Sequence, residues 1–222
     1  MAQGIKGTGK ARNSFHPVPC IIAIDQSYTR TGMAICVNGT VKKTYSIEMN
    51  KIKSKTNKRL EMSRVLNKMI DSCLKHYDSS QIAVIVERIR TFTGSTQYDT
   101  AFGNTNAFNG FRPDVIKAHA SLISCIVDTA YIRGIKTFSV ATKSWKSSVL
   151  GSSKLIFPPI QGVKNPQKFG SVRKAIDLGF EKNISIYSYK NNAISYNDDV
   201  ADAICMSLYP FGKSPYQLKL EE

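Results

Sequence analysis

The fold of this chain is decided by the stretch Cys20-Ile-Ile-Ala-Ile-Asp25-Gln-Ser-Tyr-Thr-Arg-Thr31-Gly-Met-Ala-Ile-Cys-Val37. Its first six residues are apolar up to a final carboxylate, which predicts a buried strand over 20–25. A second apolar run predicts a strand over 31–37, and Asn38-Gly39 is typical of a two-residue hairpin turn. A third strand is predicted over 40–48. Because short turns join these strands, we expect an antiparallel meander.

Helices and strands alternate in the rest of the chain. Apolar residues recur at helical spacing over 57–76 and again after Pro113, which is well placed to open a helix. Apolar segments over 81–88 and 135–140 predict two more strands, and strands joined through helices pair in parallel. The predicted fold class is therefore α/β, with a mixed five-stranded sheet flanked by helices on both faces. We also expect helices over 144–150, 166–178 and 198–208, and an irregular or extended segment over 181–196.

The charge of the chain predicts a polyanionic partner. Its 222 residues include 31 Lys and Arg against 16 Asp and Glu, a formal net charge of +15. Hydrophobic residues make up 42%, enough to build a core, which excludes a wholly disordered chain. Nucleic acid is favoured over an anionic membrane because the sequence has no basic amphipathic helix with a strong apolar face. The segment 129–176 carries the strongest bias, with nine Lys or Arg and no Asp or Glu.

The sequence predicts one folded domain over 20–209, between a flexible basic N-terminal tail over 1–19 and a C-terminal extension over 210–222. No apolar run reaches the ~18 residues of a membrane span, and the N-terminus has no apolar core of a secretory signal. The five cysteines are scattered without metal-ligand spacing, which is typical of free thiols in a reducing compartment. We therefore expect a cytoplasmic protein that is not secreted.

Four carboxylates are candidates for a metal site. Asp25 and Glu87 each end a predicted buried strand, while Asp199 and Asp202 share one face of the last predicted helix. If that helix crosses the strand ends, the four side chains converge, and their repulsion requires cations such as Mg²⁺ or Mn²⁺. Two such ions about 3.5–4 Å apart activate water and stabilise the leaving oxygen in phosphodiester cleavage.

Each carboxylate also has an ordinary structural interpretation. An Asp after a strand is most often a turn or cap residue. Glu87 could pair with Arg88 or Arg90, and Asp199 could be a first-turn acid favoured by the helix dipole. The order of the four along the chain is more specific than any of them alone.

That order resembles RuvC-type Holliday junction resolvases of the RNase H-like superfamily. Ile21-Ile-Ala-Ile-Asp25-Gln-Ser-Tyr-Thr-Arg-Thr-Gly32 is similar to the first motif of the family, Val84-Ile-Val-Glu87 to its second acidic strand, and Asp199-Val-Ala-Asp202-Ala203 to its closing motif. The resemblance runs from about Cys20 to Leu208. It implies an RNase H-like fold and a homodimeric, metal-dependent DNA endonuclease of recombination and repair. Such an enzyme resolves four-way junctions, leaves 5′-phosphate and 3′-hydroxyl ends, and needs no small-molecule cofactor.

The resemblance also implies roles for particular residues. The catalytic metal ligands would be Asp25, Glu87, Asp199 and Asp202, holding two ions per site. Trp145-Lys146-Ser-Ser-Val-Leu-Gly151 is similar to the family stretch with a lysine near the scissile phosphate, so Lys146 is expected to be catalytic. A second family lysine matches Lys168, with Lys164 as its rival; ordinary phosphate contacts are the alternative for each. The basic residues expected to bind DNA are Lys143, Lys146, Lys164, Lys168, Arg173 and Lys174.

The chain departs from the family in the connection after its second acidic strand. The family places a junction-wedging aromatic close to the glutamate, but here a longer Gly-, Thr- and Asn-rich loop over 90–112 follows. Phe92, Tyr98 or Phe102 would supply the wedge, and we expect Phe92 and Phe102 to contact DNA. The loop and the extra N-terminal tail suggest a divergent member, such as a bacteriophage version acting in an infected bacterial cell.

The helix after Pro113 bears on assembly. Over 113–133 its apolar residues extend beyond a single core-facing stripe, so we expect part of it to form a two-fold dimer interface, with burial inside one subunit as the alternative.

Three other functions remain open: a nuclease of RNA–DNA hybrids, an actin-like or sugar-kinase-like ATPase, and a non-catalytic junction binder. The ATPase would need a second Gly-rich phosphate-binding motif, which the sequence lacks.

Overall fold

The computed structural model describes residues 18–88, 113–152, 157–163, 165–188 and 193–211. Five strands form the main sheet: β1 (Cys20–Asp25), β2 (Thr31–Val37), β3 (Thr40–Ile47), β4 (Ile82–Glu87) and β5 (Lys136–Val140). The helices are α1 (Lys55–Leu74), α2 (Pro113–Ile132), α3 (Thr142–Leu150), α4 (Phe169–Asp177), α5 (Glu181–Ile184) and α6 (Asp198–Leu208). A separate hairpin pairs β6 (Ser185–Ser188) with β7 (Ala193–Tyr196).

The main sheet is mixed, as the sequence predicts. Its strand order is β3-β2-β1-β4-β5, with β1 antiparallel to β2 and parallel to β4. The turn between β2 and β3 has positive φ at both Asn38 and Gly39, the geometry that favours this residue pair in tight hairpins. Because β4 and β5 also pair in parallel, β1, β4 and β5 all end at the same edge of the sheet.

Helices cover both faces of the sheet, which confirms the predicted layers. Successive strand side chains point to opposite faces. Ile22 and Ile24 of β1 pack in one core with α1 and α2, whereas Ile21 and Ala23 pack on the other face with α3 and α6. The sequence of β1 shows no alternation of apolar and polar residues, because both faces of the strand are buried and apolar.

Some element boundaries differ from those predicted. The segment 181–196, expected to be irregular or extended, contains α5 and the β6–β7 hairpin. Its strands are four residues long, too short for a clear period of two. The helix predicted over 166–178 begins as a 3₁₀ turn over Pro166–Lys168 and becomes α-helical at Phe169. The ends of the longer elements agree with the predictions to within two residues.

The N-terminus of α6 approaches β2 very closely at Gly32. A Cβ atom added at Gly32 would lie 2.2 Å from both the carbonyl carbon and the carbonyl oxygen of Asp199. Gly32 also pairs with Asp25 across the antiparallel ladder. The glycine therefore lets the first turn of α6 lie against the end of β1, which brings Asp199 and Asp25 to the same place.

Several predicted features lie outside the described residues: most of the N-terminal tail and of the C-terminal extension, Lys164, and the aromatic residues Phe92, Tyr98 and Phe102. The predicted domain boundaries and the wedge remain predictions. In the described part of the chain, no helix is both long and apolar enough to cross a membrane.

Gly32→Ala is predicted to lower the free energy of unfolding by roughly 3 kcal/mol or more, because the new methyl group overlaps the α6 backbone. Gly179→Ala is the control: Gly179 has φ +84° but nothing within 4 Å of its added Cβ, so the strain should cost about 1 kcal/mol. Urea denaturation measures both. Equal losses would show that the approach of α6 to β2 is not tight.

Candidate active site

Three carboxylates meet around one ammonium group at the edge of the sheet. The Lys168 Nζ lies 2.5 Å from Asp202 Oδ2, 3.5 Å from Asp25 Oδ2 and 3.7 Å from Asp199 Oδ1. Asp25 ends β1, Asp199 and Asp202 lie in the first turns of α6, and Lys168 ends the 3₁₀ turn before α4. The packing of α6 and α4 against the sheet thus brings together residues that lie more than 140 positions apart in the sequence, such as Asp25 and Lys168.

The position of α6 depends on its cap as well as on Gly32. The Asn197 side chain accepts a hydrogen bond from the Val200 backbone N–H at 3.2 Å, which satisfies one of the free donors of the first turn. The amide of Asn197 also donates to Ser46 Oγ of β3 at 2.9 Å. One side chain therefore both starts the helix and ties it to the sheet.

Glu87, the fourth predicted ligand, ends β4, next to β1 in the parallel ladder. Gln26 holds its backbone: the Gln26 side chain donates to the Glu87 carbonyl at 2.7 Å and accepts from the Glu87 N–H at 3.2 Å. The indole N–H of Trp145 donates to Glu87 Oε1 at 3.2 Å. Sequence analysis assigned no role to Gln26 or Trp145. The available signals were the place of Gln26 directly after Asp25 and the presence of one tryptophan in the chain.

Burial controls the electrostatics of this cluster. Asp25 is 5% exposed and Asp202 is 2% exposed. Burial, together with repulsion from Asp202, Glu87 and Asp199, raises the pKa of Asp25 well above its ordinary value, although Lys168 opposes the change. Burial likewise raises the pKa of Asp199 to about 6. Burial therefore disfavours the ionised form of these carboxyl groups unless a positive charge lies beside them.

Lys168 supplies that positive charge in this structure. Burial alone would lower the pKa of its ammonium, but attraction to Asp202, Asp25 and Asp199 outweighs this and raises it above the ordinary value. The ammonium is therefore held in its charged form. The three carboxylates are nearer to charge balance with the Lys168 ammonium beside them than they would be without it.

The donor set fits a hard divalent ion in its chemistry. Carboxylate oxygens are the ligands that Mg²⁺ and Mn²⁺ prefer. Asp202 Oδ1 is buried and has no hydrogen-bond partner within the described residues, so its lone pairs are available to bind a cation. Across those same residues, no three acidic, histidine or cysteine side chains are arranged as a metal-binding group. The side chains instead converge on the Lys168 ammonium.

The other predicted basic residues do not join the cluster. Lys146, expected to be catalytic, donates to the Gln167 carbonyl at 3.0 Å and lies 5.3 Å from the centre of the Trp145 ring. Lys143 is exposed on α3, and Arg173 and Lys174 are half-buried on α4. Lys168 is the lysine that contacts the carboxylates, because the 3₁₀ turn directs it towards α6.

This fold, with its carboxylates at the edge of a mixed five-stranded sheet, is the RNase H-like α/β fold in the form seen in RuvC. A Thermus thermophilus RuvC structure shares 12% identity, covers 86% of this chain and 92% of its own, and has a TM-score of 0.52. T. thermophilus RuvC in complex with a Holliday junction substrate shares 8% identity, with 86% and 90% covered and a TM-score of 0.53. No protein-family model and no curated protein matches the sequence. The similarity confirms the fold that the sequence motifs imply.

Lys168→Met is predicted to lower the free energy of unfolding by roughly 3 kcal/mol in metal-free buffer, because it leaves buried carboxylates without their cation. Lys146→Met is the matched control, since its ammonium bonds one exposed carbonyl, and it should change stability by no more than about 0.5 kcal/mol. Urea denaturation of both variants provides the comparison. A similar, small effect for both would contradict a neutralising role for Lys168.

Proposed function

We propose that this protein is a divalent-metal-dependent endonuclease that resolves four-way DNA junctions and cuts other branched DNA in the cytoplasm. The observation that carries this proposal is the convergence of Asp25, Asp199 and Asp202 at one edge of a RuvC-like sheet. A cluster of buried anions is unfavourable for binding a polyanion unless cations mediate the contact. The net charge of +15 supplies the attraction for DNA over the rest of the surface.

Asp25, Asp199, Asp202 and Glu87 are the residues that would hold Mg²⁺ or Mn²⁺, two ions per site. When bound, the ions supply the polarisation of water and phosphodiester on which in-line hydrolysis depends. The products would be 5′-phosphate and 3′-hydroxyl ends. Asp202 would contribute its buried Oδ1, which has no hydrogen-bond partner among the described residues.

Lys168 has two roles in this proposal. Without a divalent ion, its ammonium balances the charge of the three carboxylates. With the carboxylates neutralised by bound ions, the ammonium would be available to donate to a phosphate oxygen, where it would stabilise developing negative charge. Lys168 would thus occupy the cation position in the free protein and contact the phosphate in the complex.

The remaining basic residues would hold the DNA backbone. Lys143 and Lys146 of α3 and Arg173 and Lys174 of α4 belong to helices that pack beside α6. Phosphate contacts of this kind set orientation without reading sequence. Lys146 is proposed as a DNA contact close to the site. Phe92, Tyr98 or Phe102 is proposed to supply the wedge, and Phe92 and Phe102 are proposed to contact DNA.

Symmetrical cutting of a junction requires two active sites, and α2 offers a surface for a second copy. One side of α2 is buried against α1 and the sheet through Leu122, Ile126 and Ala130. The opposite side leaves Val127 39% exposed and Tyr131 81% exposed. Exposed apolar residues one helical turn apart, as Val127 and Tyr131 are, are typical of a helix that packs against a partner. We therefore propose a homodimer through α2.

Asp25→Asn is predicted to slow Mg²⁺-dependent cleavage of a synthetic four-way junction at least roughly 100-fold, because it removes a metal ligand. Junction affinity in EDTA should stay the same or rise, since a negative charge is lost from a phosphate site. Asp177→Asn makes the same charge change at an exposed position and should cut normally.

Cleavage of a linear duplex and of an RNA–DNA hybrid, measured beside the junction, tests the substrate class. Near-normal cutting by Asp25→Asn would refute the site, and preferential cutting of the hybrid would favour an RNase H-type activity.

Val127→Asp is predicted to convert the dimer into a monomer, because it places a charge in the proposed α2 interface. Leu178→Asp is the control, since Leu178 is 40% exposed, close to the 39% of Val127, but lies after α4. Sedimentation velocity at micromolar concentration gives the oligomeric state of both. A wild-type monomer that still cuts both strands in concert would contradict the dimer.

A further inference from the structure

Trp145 lies behind the proposed metal site, on the side away from solvent. Its side chain is fully buried in the core formed with Ile21, Ile85 and Val140. β5 runs parallel to β4, and Val140 pairs with Glu87 at their ends. Because α3 begins two residues after Val140, Trp145 in its first turn points back beneath the end of β4.

The polar end of this apolar side chain meets a carboxylate. The Trp145 indole N–H donates to Glu87 Oε1 at 3.2 Å, within an otherwise hydrophobic cluster. A buried indole N–H needs an acceptor, and a charged acceptor makes the stronger bond. The bond engages one oxygen of Glu87 and leaves Oε2 to bind a cation. The two hydrogen bonds between the Gln26 side chain and the Glu87 backbone, here called the Gln26 clamp, fix the backbone of the same residue.

We propose that Trp145 is a positioning residue that holds the Glu87 carboxylate in its metal-binding orientation. This inference rests on the proposed metal-dependent function. Glu87 has three side-chain torsions, and a ligand that must first be ordered binds a metal more weakly than one already in place. The indole N–H restricts the carboxylate before the metal arrives, and its own ring is held in place by the surrounding core.

Trp145→Phe separates positioning from packing, because it keeps an aromatic ring in the core and removes the N–H donor. Thermal denaturation across a Mg²⁺ titration gives each variant a half-saturating concentration, read against its own melting temperature without metal. We expect this concentration to rise roughly tenfold in Trp145→Phe. Val149→Ala, which removes packing from the same core on the helix that carries Trp145 and keeps the indole N–H, should keep the wild-type value. An unchanged value in Trp145→Phe would overturn the proposal.

The wild-type protein provides a second test that does not require Trp145→Phe to fold. Trp145 is the single tryptophan of the chain, so intrinsic fluorescence reports on this one side chain. Mn²⁺ should quench or shift its emission, with the half-saturation that a thermal titration of the same protein with Mn²⁺ gives. Glu87→Gln should weaken the response at least roughly tenfold. Emission that ignores Mn²⁺ while the melting temperature rises would overturn the positioning role.

The two proposals fail differently. If Asp25→Asn cuts normally and wild-type stability does not respond to Mg²⁺ or Mn²⁺, the metal-dependent function fails and the role of Trp145 fails with it. If the wild type responds to metal and Trp145→Phe responds identically, the function stands and the positioning role alone is overturned.

Discussion

The attraction between the half-buried ammonium of Lys168 and the carboxylates of Asp25, Asp199 and Asp202 is the interaction on which the rest of the site depends. It joins three parts of the fold that share no local contact in sequence: the end of β1, the start of α6 and the turn before α4. Without a cation, the two buried carboxylates and the half-buried Asp199 would repel one another and destabilise this arrangement. The charge balance therefore acts on folding and on the proposed chemistry at once, and a change at any of the four residues affects both.

The fold is shared with RuvC at only 8–12% identity, so it does not depend on the identity of most residues. A core accepts many apolar residues of suitable volume, so buried strands such as β1 and β4 restrict the class of residue more than its identity. The positions at the strand ends have fewer acceptable residues. At Gly32 any other residue is costly, because a Cβ atom there would overlap the α6 backbone.

Sequence alone predicts the sheet because its signals are local. The apolar runs, the Asn38-Gly39 turn and the Asn197 cap each act within a few residues, and they place β1, β2 and α6 correctly. The site is less predictable because it is built from distant contacts. Nothing near Lys168 distinguishes it from Lys146 as the lysine that reaches the carboxylates. The contacts of Gln26 and Trp145 with Glu87 span 61 and 58 residues, and no periodicity reports them.

The Gln26 clamp has a consequence for how the site can adapt to different ions. Asp25 and Glu87 project from neighbouring strands of one ladder, whose separation of about 4.8 Å is fixed by backbone hydrogen bonds. The clamp extends that fixed spacing past the last ladder pair. Asp199 and Asp202 belong to α6, whose first turn lies against Gly32 and whose residues from Val200 to Ser207 are buried. Backbone hydrogen bonds thus hold one half of the acidic set, and close packing holds the other. A larger ion or a bulkier phosphate would have to fit a ligand spacing that the fold sets before either binds.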